Sequence, residues 1–136
     1  MGADSGLTDP KSKSILVVED DEGSREFLVA VVRKEGFQAR EAGDGREALK
    51  LVEAARPDLM ILDMMLPRMG GYEVLRQLQE WGLSSLPVIV VTGRCKDTST
   101  TEMIRRESNV VEFMEKPVRP VVLGMCLHRI LRTKAP

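Results

Sequence analysis

A single α/β domain, with a parallel sheet covered by helices on both faces, is the fold class this sequence predicts. Three observations predict it. Short apolar runs of strand length, most of them rich in Val or Ile, alternate along the chain with helical patterns. These runs are continuous rather than every second residue, as strands buried on both sides require. The chain has 136 residues, 43% of them hydrophobic, which is enough for one well-buried core and too little for two ordinary domains.

The opening segment MGADSGLTDPKSKS is small, polar and rich in turn formers. It reads as a disordered leader over residues 1–13, or a remnant of expression, outside the fold. The first strand is Ile15–Val18. A helix from about Ser24 to Lys34 comes next, with Phe27, Leu28, Val31 and Val32 on one face and Gly36 as terminator. A weaker strand, Phe37–Glu41, leads to Asp44-Gly45, which opens a second helix whose Ala48, Leu49 and Val52 share a face and which Pro57 closes. The third strand is Leu59–Leu62. Its loop holds Pro67 and Gly70-Gly71, and a third helix runs from about Tyr72 through Val74, Leu75 and Leu78 to Gly82. Val88–Val91 is the fourth strand, and a thin-faced helix from about Thr98 to Glu107 starts in DTSTTE, which offers several capping residues. Val110–Met114 is the fifth. The last helix, about Arg119 to Arg132, contains VVLGMCL and is apolar around much of its circumference, ahead of a short tail at 133–136.

Composition excludes several function classes. Twenty basic against twenty-one acidic residues leave a net charge of -1, so no overall positive field draws nucleic acid or an anionic membrane. Neither direct nucleic-acid binding nor membrane binding is expected. Cys95 and Cys126 are far apart and fit no CxxC or Cys/His spacing, which argues against a disulfide framework or a zinc site and for a reducing, cytoplasmic setting. No apolar run approaches the ~20 residues of a membrane span, and the N-terminus lacks a signal-peptide apolar region.

Chemistry concentrates at one edge of the predicted sheet. If the strands are parallel, the residues just past their last apolar positions share the carboxyl edge, where open α/β sheets place their sites. Strand one contributes Glu19-Asp20, strand three Asp63, strand four Thr92-Gly93 and strand five Lys116-Pro117. Asp21 reads instead as the cap of the first helix. Any one of these could be a cap or a solvated side chain, but clustered carboxylates repel one another and call for a cation or a proton. Mg²⁺ (or Mn²⁺) suits such a cluster, since it takes hard oxygens from carboxylates, waters and phosphate.

In these pieces the chain resembles the receiver domain of two-component response regulators. ILVVEDD, DLMILDMMLPRMGGYEVL around Asp63, PVIVVTG ending in Thr92-Gly93, and FMEKPV around Lys116 stand in that family's order, and the resemblance covers about Ser14 to Arg132. It implies a strand order of 2-1-3-4-5 and a phosphorylation-dependent signalling switch. Asp63 would accept a phosphoryl group from a sensor histidine kinase or histidine phosphotransfer protein. Glu19 and Asp20 would be the metal-binding pair, Asp20 directly and Glu19 through water, with Asp63 and the Met65 backbone carbonyl completing the set. Thr92 would hydrogen-bond the acyl phosphate and Lys116 would pair with it. Phe113 stands where the family often carries a switch aromatic, which core packing would explain equally well, and Lys116-Pro117 where it usually has a cis peptide.

The resemblance implies a phosphoacceptor regulator with no separate small-molecule substrate, not an enzyme in the usual sense, with a homodimer through helix four, strand five and helix five as a further expectation. The alternative is a pseudo-receiver, an interaction module not controlled by phosphorylation, though such proteins usually lose one of the residues present here. An aspartyl-phosphate phosphatase on a related scaffold would want a second acid two residues after the nucleophile, where Met65 stands. Departures are Ser108-Asn109 in place of the usual Gly-Ala before strand five, and Met65 and Arg94 at positions that tune phosphoryl lifetime. His128, the lone histidine, reads as a partly exposed helical residue.

Overall fold

The computed structural model describes residues 6–66, 68–93 and 98–136, without the side chains of 98–100. Pro67, Arg94, Cys95, the first five residues of the expected leader and the start of the expected helix cap in DTSTTE lie outside the described residues. The elements are β1 (Ser14–Val18), α1 (Glu22–Lys34), β2 (Gln38–Ala42), α2 (Gly45–Ala54), β3 (Leu59–Asp63), α3 (Gly71–Glu80), β4 (Val88–Thr92), α4 (Thr98–Arg105), β5 (Val110–Glu115) and α5 (Pro120–Leu131). All strand pairs are parallel, in the order β2-β1-β3-β4-β5. The predicted fold class and strand order are those observed.

Continuous apolar runs become two cores because successive side chains of a strand point to opposite faces. Leu16, Val18, Met60, Leu62, Val88 and Val90 pack with α2, α3 and Ile104 of α4. Ile15, Val17, Leu59, Ile61, Ile89 and Val91 pack with α1 and α5. These strand residues are fully buried, and each Leu, Ile or Val so buried is worth roughly 1.5–3 kcal/mol relative to exposure. Removing any of them would loosen the platform that carries the site.

Three differences from expectation have physical reasons. Phe27 is 41% exposed, and Val29 takes its place in the buried set of α1 with Leu28, Val31 and Val32. The spacing permitted either residue, and docking on the sheet chose the one that faces it. β2 lies one residue later than expected because Phe37 is a core residue ahead of the strand, not part of its ladder. The leader is ordered where it is described. Pro10–Ser12 form a 3₁₀ turn capped by Asp9, the Gln38 N–H donates to the Lys13 carbonyl, and Thr8 bridges Thr133. Backbone pairing to β2 and to the end of α5 supplies order that its composition does not suggest.

Candidate functional site

Because the strands are parallel, β1, β3, β4 and β5 all deliver their last residues to one edge. Glu19 comes directly after Val18, Asp63 ends β3, Thr92 ends β4, and Lys116 comes directly after Glu115. One carboxylate oxygen from each of Glu19, Asp20 and Asp63 lies within 4.8 Å of the others. Glu19 and Asp63 are buried, while Asp20 faces solvent. Lys116 Nζ donates to Asp63 Oδ2 at 3.0 Å and also to Glu19 Oε1. The Met65 N–H donates to Asp63 Oδ1 at 2.9 Å, so each oxygen of that carboxylate has a donor and the group is fixed in rotation.

Burial pushes the Glu19 carboxyl up to about 7; its contact with Asp63 acts in the same direction, while Lys116 and the Asp21 N–H pull against it. For Lys116, burial alone would lower the ammonium's pKa, but Glu19 and Asp63 outweigh it and the net direction is up. Two buried carboxyl groups thus share one ammonium, and the exposed carboxyl of Asp20 lies beside them. Excess negative charge on hard oxygens fits a divalent ion, and the exposed Asp20 keeps one side of the cluster open.

The remaining predicted residues divide. Asp21 is the cap of α1, its Oδ2 accepting the Ser24 N–H at 2.8 Å, and that bond with the Ser24 side chain holds its carboxyl below the usual range. Thr92 is buried at the end of β4, and its carbonyl accepts the Lys116 N–H at 2.7 Å, which ties the threonine's strand to the lysine. A side chain added at Gly93 would meet nothing within 4 Å, so the space beside Thr92 is open. The Met65 side chain is 74% exposed. The Lys116-Pro117 peptide is cis. Phe113 packs on the core shared by α2 and α3, with the Arg105 guanidinium 4.8 Å from its ring centroid. A cleft of about 730 Å³ opens beside Lys116, between Ser24 and Phe27 on one wall and Pro117 and Val118 on the other.

An open parallel sheet with an acid cluster and a lysine at its carboxyl edge defines an α/β domain whose hard oxygens have the chemistry to take a divalent cation. The response regulator receiver domain family matches residues 15–127, and the chain belongs to that family, whose members act in two-component signalling. It is 37% identical over 122 residues to Response regulator MprA of Mycolicibacterium vanbaalenii, covering 90% of this chain and 52% of that protein. It is 39% identical over 125 residues to DNA-binding response regulator MtrA of Mycobacterium tuberculosis, covering 91% of this chain and 53% of that one. The chain therefore spans about half the length of the curated relatives it matches. Among solved structures, the signal receiver domain of a signal transduction histidine kinase from Syntrophus aciditrophicus superimposes with a TM-score of 0.78 at 32% identity, covering 88% of this chain and 90% of that one. No helix among the described residues is long and apolar enough to cross a membrane.

Sequence reasoning missed three polar clusters. Asn109, half of the Ser108-Asn109 departure, is 1% exposed; its amide donates to the Leu83 carbonyl at 3.0 Å and accepts from Gln79 at 2.8 Å. It ties the start of β5 to the end of α3, next to a register shift between Val88 and Ile89. His128 Nε2 lies 2.8 Å from Glu35 Oε1 and Nδ1 lies 2.7 Å from Thr133 Oγ1, so both ring nitrogens are engaged. Arg68 donates to Asp44 across a sequence separation of 24. No local pattern announces such long-range pairs; only the buried Asn, by its departure from the family's Gly-Ala, left a trace.

Proposed function

We propose that this domain is a phosphorylation-dependent signalling switch in which Asp63 accepts a phosphoryl group from a histidine kinase or histidine phosphotransfer protein. The observation that carries the reading is the meeting of Asp63 with Glu19, Asp20 and Lys116 at the carboxyl edge of the sheet. In the transfer, a bond forms between an Asp63 oxygen and phosphorus, the donor's P–N bond breaks, and the imidazole nitrogen keeps the electron pair. Mg²⁺ or Mn²⁺, held by Glu19, Asp20, Asp63 and the Met65 carbonyl, would neutralise charge on the phosphoryl oxygens. Lys116 supplies a second positive charge from a position already 3.0 Å from Asp63. Thr92 donates its hydroxyl to the acyl phosphate across the open space beside Gly93. The cleft at Phe27 and Pro117 admits the donor side chain. No separate small molecule is turned over.

Output rests on the face formed by α4, β5 and α5. Val121 and Met125 are 73% and 68% exposed, and Met103 and Val111 extend the apolar surface. Exposed apolar surface of this kind serves association, here a homodimer or a downstream partner. Phe113, on the strand between the two helices, is the switch residue, with Thr92 as its link to Asp63. MtrA is by name a DNA-binding response regulator; the balanced charge of this domain gives it no overall positive field toward nucleic acid.

Intact mass after incubation with acetyl phosphate and Mg²⁺ tests the reading. One phosphoryl group is expected on the wild type, none after chelation, and none on Asp63→Asn. Undiminished labelling of that variant would remove Asp63 from the role.

A further inference from the structure

The loop after Asp63 is pinned to a helix that has no part in the acid cluster. Asp44 caps α2: its Oδ1 accepts the Glu47 N–H at 2.8 Å. Its Oδ2 accepts from both Nε and Nη2 of Arg68, at 3.0 and 2.8 Å. The Asp44 residue is only 8% exposed, and these donors hold its carboxyl below the usual range, the Glu47 N–H first and Arg68 next. Arg68 itself sits at φ 65, a left-handed conformation that an L side chain adopts only when its surroundings compensate. The neighbouring backbone is equally confined. A side chain at Gly45, the first residue of α2, would lie 2.5 Å from the Met69 carbonyl oxygen. One at Gly71, the first residue of α3, would lie 2.9 Å from the Asp63 carbonyl oxygen and 2.8 Å from Met64 Cα.

The loop thus has two anchors. At its start the Met65 N–H is fixed on Asp63 Oδ1, and further along the Arg68 fork is fixed on the start of α2. The Met65 peptide is the point at which the loop backbone meets the acid cluster.

From this geometry we infer that Asp44 and Arg68 are positioning residues for the acid site. Their ion pair holds the loop in the conformation that keeps the Met65 peptide against Asp63. The inference rests on the reading of the acid cluster as a cation and phosphoryl site, and neither residue touches the reacting groups. With the pair broken, the left-handed turn at Arg68 loses its compensation, the loop samples other conformations, and the Met65 N–H leaves Asp63 part of the time.

Arg68→Ala and Asp44→Asn test this, the second because Asn retains the cap while losing the charge. In metal-free protein, exchange of the Met65 amide should accelerate in both variants, while amides at the centre of β3 stay protected. Mg²⁺ affinity by calorimetry should fall about three- to tenfold, less than the ~10- to 100-fold known for buried partners of metal ligands, because water screens the exposed Arg68. The double variant should lose no more than either single one, since both remove the same contact. A lower melting temperature with unchanged Met65 exchange and unchanged Mg²⁺ affinity would overturn the inference and reduce the pair to a structural staple. Failure of the wild type to take up phosphate would instead count against the role of Asp63, and the exchange and Mg²⁺ measurements would still decide the role of the ion pair.

Discussion

At the amino ends of the strands, the polar groups that the packing encloses are paired. The Ser14 N–H donates to Asp58 at 2.8 Å, and His128 is held between Glu35 and Thr133 while its ring lies 5.0 Å from that of Phe37. Thr8 and Thr133 close the same end through backbone pairing. At the carboxyl ends, three acids converge and one lysine reaches two of them. One sheet carries both ends, so the contrast does not come from the fold. It comes from the residues placed at the two ends of each strand: at one end every polar group named here meets a partner that closes the chain, and at the other three acids gather with a single lysine, the arrangement proposed above to take a cation and a phosphoryl group. Satisfied polar groups stabilise, and an unbalanced cluster costs stability in exchange for chemistry.

Breaking the closed end should cost the most stability and no chemistry. His128→Ala removes a ring packed on Phe37 and leaves the half-buried Glu35 without its partner, so unfolding free energy should fall by about 2–3 kcal/mol. Phosphoryl uptake per folded molecule should not change. Urea denaturation paired with the mass assay measures both, and a loss of labelling in the folded variant would show that the two ends are coupled.

The open end should answer in the opposite way. Asp20→Ala should weaken Mg²⁺ binding by at least about tenfold, equivalent to ~1.4 kcal/mol, with little change in folding. Asp21→Ala should leave Mg²⁺ affinity nearly unaltered, because Asp21 is committed to the Ser24 N–H. Calorimetry on the pair separates ligand from cap, and equal losses would show that the division into one ligand and one cap is wrong.

The smallest effect is a pH dependence at the boundary of the site. Hydrogen bonds from Glu47 and Arg68 depress the Asp44 carboxyl below its ordinary value of 3.8. A depressed acid stabilises the fold above the unfolded-state pKa, and that contribution is lost as pH falls through the folded one. Wild type should therefore lose its advantage over Asp44→Asn as pH drops below 3.8, by less than about 1 kcal/mol because Arg68 is largely in water. Acid titrations of the two proteins, followed by circular dichroism, measure the difference. Parallel curves would mean that the Arg68 contact contributes nothing to stability.

Much of this molecule was legible in its residues. Unbroken runs such as ILVV and VIVV require burial on both faces, so a parallel sheet with covering helices came from local pattern alone. The common edge then placed Glu19, Asp63, Thr92 and Lys116 together, because in a parallel sheet every strand ends on the same side. Capping by Asp21 and the start of the second helix at Asp44-Gly45 were equally local, since a helix start depends on residues within one turn.

Only the tertiary structure decided what depends on separation in sequence or on how a face docks. Helical periodicity cannot say whether Phe27 or Val29 turns inward, and packing against the sheet exposes the first and buries the second. Composition alone made the leader look disordered, but its order comes from hydrogen bonds to Gln38 and the end of α5, partners that exist only once the sheet has formed. The charge balance of the site was also out of reach. Glu19 reads as one acid of a pair, yet burial beside Asp63 lifts its carboxyl to about 7. Desolvation is a property of the assembled edge, and Arg68 on Asp44 is the same kind of fact: a contact that the spacing of residues along the chain does not contain.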